Sequence, residues 1–203
     1  MRKLMVAGLF IILCTGLLSG CSQQTDVETS TVFIEKKGSV VSVDVEKFDK
    51  EYYEAEELEN YIEKQVEEYG GKDGGVEKSS FDVKDGKAKL KMRYDSYEDY
   101  ANFNGIEFYS GSVVTAQAEG YDFDTEFYSV SENLKEQKAV DSEKVLEDDD
   151  NKIAIIKANV DVSVPGKILY VSKQDTKVTA EDTVSITGEG ANEEAALTYI
   201  IYQ

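Results

Sequence analysis

Three runs of this chain alternate apolar and polar residues at a period of two, the spacing of a pleated strand with one buried face. Ser42 and Asp44 separate Val41, Val43 and Val45, and Lys89, Lys91 and Arg93 separate Ala88, Leu90, Met92 and Tyr94. Asn159, Asp161 and Ser163 separate Ala158, Val160, Val162 and Val164. A helix would scatter such positions around its surface. Turn residues punctuate the pattern at Lys37-Gly38, Asp85-Gly86 and Pro165-Gly166. Asp-Gly is a strong hairpin signal, and Pro-Gly suits a type II turn. The spacing predicts strands over 31–36, 39–45, 81–83, 88–94, 167–171, 183–187 and 196–202. A two-residue turn at Asp85-Gly86 sets Asp82 opposite Lys89 and Ser80 opposite Lys91. Tyr199-Ile200-Ile201-Tyr202 belongs inside a sheet, because a frayed apolar end invites aggregation.

One stretch keeps a different period. Ala55, Leu58, Ile62, Val66 and Tyr69 recur at helical spacing and predict an amphipathic helix over 51–69. Asp49 stands where a cap is wanted, and Gly70-Gly71 ends the run. Ser96-Tyr97-Glu98-Asp99 has the form of a capping box opening a short helix that stops at Gly105. Another short helix is expected over 142–146, within a C-terminal half otherwise rich in strands. The expected class is α+β: an antiparallel β-sheet with one long amphipathic helix and short helices. A chain of 203 residues fits one acidic domain over 31–203, or two subdomains dividing near 131–151.

The N-terminus has another character. Arg2 and Lys3 precede an apolar stretch, Leu4 to Leu18, that is short for a membrane span of about 20 residues. Leu18-Ser19-Gly20-Cys21 then closes it, and polar residues follow. The segment resembles a bacterial lipoprotein signal peptide. That resemblance implies cleavage after residue 20 and a diacylglyceryl group, with palmitate-type chains, on the Cys21 sulfur. It implies a protein held on the extracellular face of the cell membrane, and two acyl chains suffice for stable anchoring. Residues 21–30 read as the lipidated cysteine and a flexible tether. The body, typified by Gly38-Ser39-Val40-Val41-Ser42-Val43-Asp44-Val45 and Tyr100-Ala101-Asn102-Phe103-Asn104-Gly105, resembles the small surface lipoproteins of Gram-positive bacteria. Those families have no assigned activity, so no residue role carries over.

Charge and missing residue types narrow the chemistry. Forty-one acids against 22 bases give a net charge of −19, and the leader holds Arg2 and Lys3 but no acid. Such a surface disfavours nucleic acid and electrostatic adhesion to anionic lipid, and favours cationic partners or divalent cations. The chain has no histidine, which excludes Ser-His-Asp, Cys-His and His-zinc sites. Cys14 goes with the leader and Cys21 carries lipid, so no thiol is left as a nucleophile. No catalytic motif is present, and the expectation is that the protein is not an enzyme.

The remaining candidates are surfaces. Between Asp44 and Tyr69 there are eleven acids and three lysines, and Glu59, Glu63 and Glu67 fall at successive i, i+4 positions. They form either a solvated face or a docking surface for a cationic peptide or protein, with Tyr52 and Tyr53 beside it. Tyr94, Tyr97, Tyr100 and Phe103 join that aromatic grouping in sequence; tyrosine beside carboxylates also suits cell-wall glycan. Glu147, Asp148, Asp149 and Asp150 offer oxygen ligands for calcium, without EF-hand spacing there or at Asp122 to Glu126. Lys87, Lys89, Lys91 and Arg93 share one strand face and either grip an anion or pair internally. The leading expectation is non-catalytic binding of a cationic peptide or protein, ahead of cell-wall glycan. A calcium-stabilised surface module and a carboxylate-dependent hydrolase are the alternatives.

Overall fold

The computed structural model describes residues 26–131, 134, 137–188 and 195–203. The leader, 1–20, and Cys21 lie outside the described residues. Among the described residues, thirteen strands form two sheets. In the first, β1 (Thr31–Ile34) and β2 (Val40–Lys47) make a hairpin across the expected Lys37-Gly38 turn, with Ile34 opposite Val40. The hairpin β3 (Val76–Lys84) and β4 (Lys87–Tyr94) turns at Asp85 and Gly86, whose φ angles of 51° and 74° suit a tight two-residue turn. Its register sets Asp82 opposite Lys89 and Ser80 opposite Lys91, as the turn chemistry requires. The later strands β9 (Asp161–Ser163), β11 (Thr176–Ala180) and β12 (Thr183–Ile186) complete the order β11-β12-β9-β1-β2-β4-β3.

The second sheet has six strands in the order β5-β8-β13-β10-β6-β7. They are β5 (Phe108–Ser112), β6 (Phe127–Val130), β7 (Gln137–Val140), β8 (Lys152–Ile156), β10 (Ile168–Ser172) and β13 (Thr198–Tyr202). The C-terminal strand lies between β8 and β10, and all five of its residues are buried. A division near 131–151 would therefore cut through this sheet, since β5 and β6 precede that stretch, β7 lies within it and β8, β10 and β13 follow it.

The expected single antiparallel sheet is thus two sheets, and the first is mixed, because β1 pairs parallel with β9. One core lies between them. Val32, Ile34, Val40, Met92 and Tyr94 of the first sheet share it with Ile156, Ile168, Val171, Ile200 and Tyr202 of the second. The far side of the second sheet buries Ile153, Ile155, Tyr199 and Ile201 with Val113, Ala116 and Val145. The far side of the first buries Phe33, Val41 and Val43, with Val27 packed against them.

Helices fill the margins. Helix α1 (Ala55–Tyr69) packs on β3, and Gly70 ends it in the left-handed conformation at φ 111°. The expected long amphipathic helix is reduced in two ways. It begins at Ala55 rather than near residue 51, without a side-chain cap from Asp49, and none of its residues is buried. Its apolar positions 58, 62, 66 and 69 are half-covered, because one edge of a sheet shields less of a helix than a full face. Helix α2 (Tyr97–Asn104) starts where the capping box predicts, with Ser96 Oγ accepting the Asp99 N–H at 3.1 Å. Helix α3 (Val113–Ala118) falls in the half expected to be rich in strands; α4 (Ser142–Val145) is the short helix expected there.

Residues 26–30, read as tether, lie back on the first sheet. Ser30 Oγ accepts the Val45 N–H at 2.9 Å, and Thr29 donates to Asp161. Trimming Ile200, fully buried in the central strand of the second sheet, to alanine is expected to lower unfolding free energy by about 2–5 kcal/mol, read from the urea midpoint.

Candidate functional site

The chain bends on leaving β2. Phe48 donates its N–H to the Gly86 carbonyl at 2.7 Å, which starts the following loop against the β3–β4 turn. On this loop three rings make a ladder. Phe48 and Tyr53 stand 5.0 Å apart between centroids, and Tyr52 meets Tyr53 edge-on at 5.0 Å. Phe48 is half-buried and anchors the set, while Tyr53 is 40% and Tyr52 74% exposed. Exposed carboxylates flank the ladder at Asp49, Glu51 and Glu54; Lys50 sits 3.9 Å from Asp49. The Tyr53 hydroxyl is pushed up, first by the Tyr52 hydroxyl and also by Asp49, which keeps it a proton donor. Tyr61, on α1, is 61% exposed. Rings with open faces beside negative charge attract ammonium and guanidinium groups.

Helix α1 divides its acids differently from the expectation. Glu59 and Glu63 both accept from Lys78 Nζ at 2.5 Å, and the Lys78 side chain is only 16% exposed. These hydrogen bonds, Glu59 first, raise the Lys78 ammonium above its ordinary value. Two of the three expected docking carboxylates are therefore engaged in fixing α1 to β3. Glu67 is exposed and has no ion pair among the described residues. Tyr94 and Tyr100 are buried and Tyr97 and Phe103 half-buried, so the later aromatic grouping belongs to the core. Tyr94 and Tyr100 meet edge-on at 5.0 Å, and Tyr100 meets Phe108 at 5.3 Å.

The acidic loop after α4 turns its oxygens on its own chain. Glu147 pairs with Lys144, Asp148 Oδ1 accepts the Asp150 N–H at 3.1 Å, and Asp148 Oδ2 accepts from Gln203 at 3.1 Å. Asp149 is exposed. Among the described residues no three carboxylates converge as a metal ion requires. The neighbouring Asn151 is buried, and its Oδ1 has no hydrogen-bond partner among the described residues.

The basic strand face pairs internally, though with unexpected partners. Lys87 meets Glu28 at 3.1 Å, Lys89 meets Asp26 at 3.2 Å, and Arg93 meets Glu35 at 3.1 Å. Asp82 stands opposite Lys89 in register, but Lys89 forms its ion pairs with Asp26 and Glu28 of the N-terminal segment. Lys78 and Phe48 were not singled out from the sequence. Phe48 had a signal, a third aromatic within six positions of Tyr52 and Tyr53; Lys78 had none, being fifteen or more residues from its partners.

Comparison of the chain with protein-family models, with curated proteins and with solved structures finds no match.

One buried group gives this region a pH dependence. Asp44, on β2, accepts from Ser42 Oγ at 2.9 Å. Burial raises its carboxyl above the ordinary 3.8, and the Ser42 bond only partly opposes this. Burial likewise pushes the Tyr94 hydroxyl up to about 12, and burial with the Asp44 charge raises Tyr100. Between 3.8 and its raised value, the folded Asp44 keeps a proton that the unfolded chain has lost. Its contribution to stability is therefore fully present below that window and declines as pH rises through it. Asp44→Asn is expected to raise the melting midpoint at pH 7 and to flatten this part of the profile. A midpoint that drops, with the profile unchanged, would place the cost elsewhere.

Proposed function

We propose that the protein is a lipid-anchored, non-catalytic binding module on the extracellular face of a bacterial membrane, and that it captures a cationic peptide or protein segment. The observation that carries this reading is the Phe48–Tyr53–Tyr52 ladder, an exposed aromatic surface among the carboxylates of Asp49, Glu51 and Glu54. Tyrosine offers a large contact area at low entropic cost, and a desolvated cation on its ring gains up to about 2 kcal/mol. Glu59 and Glu63 serve the scaffold instead, through Lys78. Membrane attachment rests on the Leu18-Ser19-Gly20-Cys21 sequence. A calcium-stabilised module is less well supported, because Glu147 and Asp148 turn to separate partners within the chain and no three carboxylates converge among the described residues.

The test titrates an arginine-rich decapeptide into the full chain held in detergent. Binding is expected to weaken as salt rises, since exposed charges are screened. Tyr52→Ala with Tyr53→Ala is expected to weaken it tenfold or more, about 1.4 kcal/mol or greater. Glu59→Gln should leave it unchanged. A peptide that binds the double variant as well as the parent, or fails to bind the parent, refutes the reading.

A further inference from the structure

We propose a second, independent site at the other end of the first sheet: a cleft that takes a short peptide through its free carboxylates and its ammonium group. The two ends of this sheet are set by register. Lys47 pairs with Lys87 at the end that carries the aromatic ladder, while Val40 pairs with Tyr94 at the opposite end. There the β1–β2 turn, the Pro165-Gly166 turn and the β11–β12 turn come together around a cavity of about 1010 Å³. That volume is at the upper end of the range for small-molecule sites.

The charge of the cleft is opposite in balance to that of the chain. Lys36, Lys37, Arg93 and Lys167 line it against Glu35, Glu181 and Asp182, in a protein with nearly two acids per base. Val164, Pro165 and Ala180 supply apolar wall between the charges. Arg93 is held in place by Glu35 at 3.1 Å, and Ser39, itself buried, donates to the same carboxylate. The second terminal nitrogen of Arg93 donates to Ser39 Oγ at 3.5 Å, so Arg93 orders this wall, and the lysine ammoniums carry the attraction for a ligand carboxylate. Glu181 and Asp182 line the same cleft and supply carboxylate acceptors for an ammonium.

The walls are preformed. Glu35 donates its N–H to Ser39 O at 2.8 Å, Val164 to Asp182 O at 2.9 Å, and Ile168 to Glu181 O at 2.8 Å. Lys167 and Gln203 exchange N–H to O bonds at 2.9 and 3.0 Å. The backbones there lie so close that a Cβ on Gly166 would fall 2.0 Å from the Gln203 carbonyl oxygen. Little ordering entropy is then left for the ligand to overcome. Both charge signs on a rigid, partly apolar wall favour a ligand carrying both signs over a simple anion.

The test uses a tetrapeptide of alanine, glutamate, lysine and alanine with free ends, titrated by calorimetry into the full chain in detergent. Three comparison ligands accompany it: the same peptide with its carboxylates amidated, the same peptide with its amines acetylated, and inorganic phosphate. Binding of the free peptide is expected to fall tenfold or more on amidation and measurably on acetylation. Lys36→Ala, Lys37→Ala and Lys167→Ala combined should produce the amidation loss without lowering the melting midpoint by more than a few degrees. Tyr52→Ala should leave this binding unaltered, which separates its fate from that of the aromatic surface. Equal binding of the amidated peptide, equal binding by the lysine variants, or no binding by the parent overturns the proposal. Phosphate binding as tightly as the peptide overturns the dipolar ligand class.

Discussion

The last strand holds the second sheet together. β13 lies between β8 and β10, and among the described residues no other strand pairs with both. Its five residues, Thr-Tyr-Ile-Ile-Tyr, are buried on both faces. Ile200 and Tyr202 enter the core between the sheets, while Tyr199 and Ile201 enter the core beneath α3 and α4. Two separate hydrophobic layers therefore meet through one strand. Tyr199 adds a directional constraint, its hydroxyl donating to the Asp122 carbonyl at 2.6 Å. Gln203, just beyond, is bound to Lys167 by backbone bonds and to Asp148 by its side chain. Most of these pairings are distant in sequence, so loop-closure entropy is met before they contribute, and folding is expected to be slow for the size.

Local chemistry was legible where it was self-sufficient. Asp85-Gly86 determined a turn and thereby a register, because a two-residue hairpin admits few alternatives. Ser96 capped α2 because its hydroxyl is three residues from the N–H that it accepts. The run from 199 to 202 belonged inside a sheet because no solvated position tolerates it. Where tertiary packing overrode propensity, the reading failed. Val113-Val114-Thr115 is β-branched and falls in the half expected to be rich in strands, yet forms α3: Ser112 accepts the Thr115 N–H at 3.1 Å, and Val113 and Ala116 face the core. The parallel pairing of β1 with β9 joins positions about 130 apart, and no local pattern announces it. That pairing joins β11, β12 and β9 to the N-terminal strands and makes the first sheet mixed.

The site followed the same division. Tyr52 and Tyr53 were legible as surface because they break the apolar stripe that α1 begins at Ala55. Glu59 and Glu63 looked equally open, since a helix pattern shows charge without showing what stands opposite. Lys78 stands opposite by virtue of where β3 pairs, and that is a tertiary fact. The cleft was invisible for a related reason. Lys36-Lys37, Arg93, Lys167 and Glu181-Asp182 belong to separate turns and a strand end, and each alone reads as a solvated charge. Only the register of β1, β9 and β12 brings those turns to one end.

Net charge, finally, describes neither surface. A chain at −19 still gathers four cations in one cleft and places a row of cations on β4. Acids from the N-terminal segment answer part of that row: Asp26 and Glu28 lie against Lys89 and Lys87, at the ladder end of the strand. Cys21 is five residues before Asp26, a reach of at most about 17 Å. On the proposed anchor, the docked segment thus shortens the tether that residues 21–30 would otherwise provide, and ties the ladder end closer to the bilayer than the cleft. Electrostatics opposes that order. The bilayer's anionic headgroups repel the acids flanking Tyr52 and Tyr53 only within about a Debye length of 8 Å, so a cationic segment inserted between the two surfaces would relieve both. On the same proposal, the cleft, at the far end of the strands, meets no such repulsion.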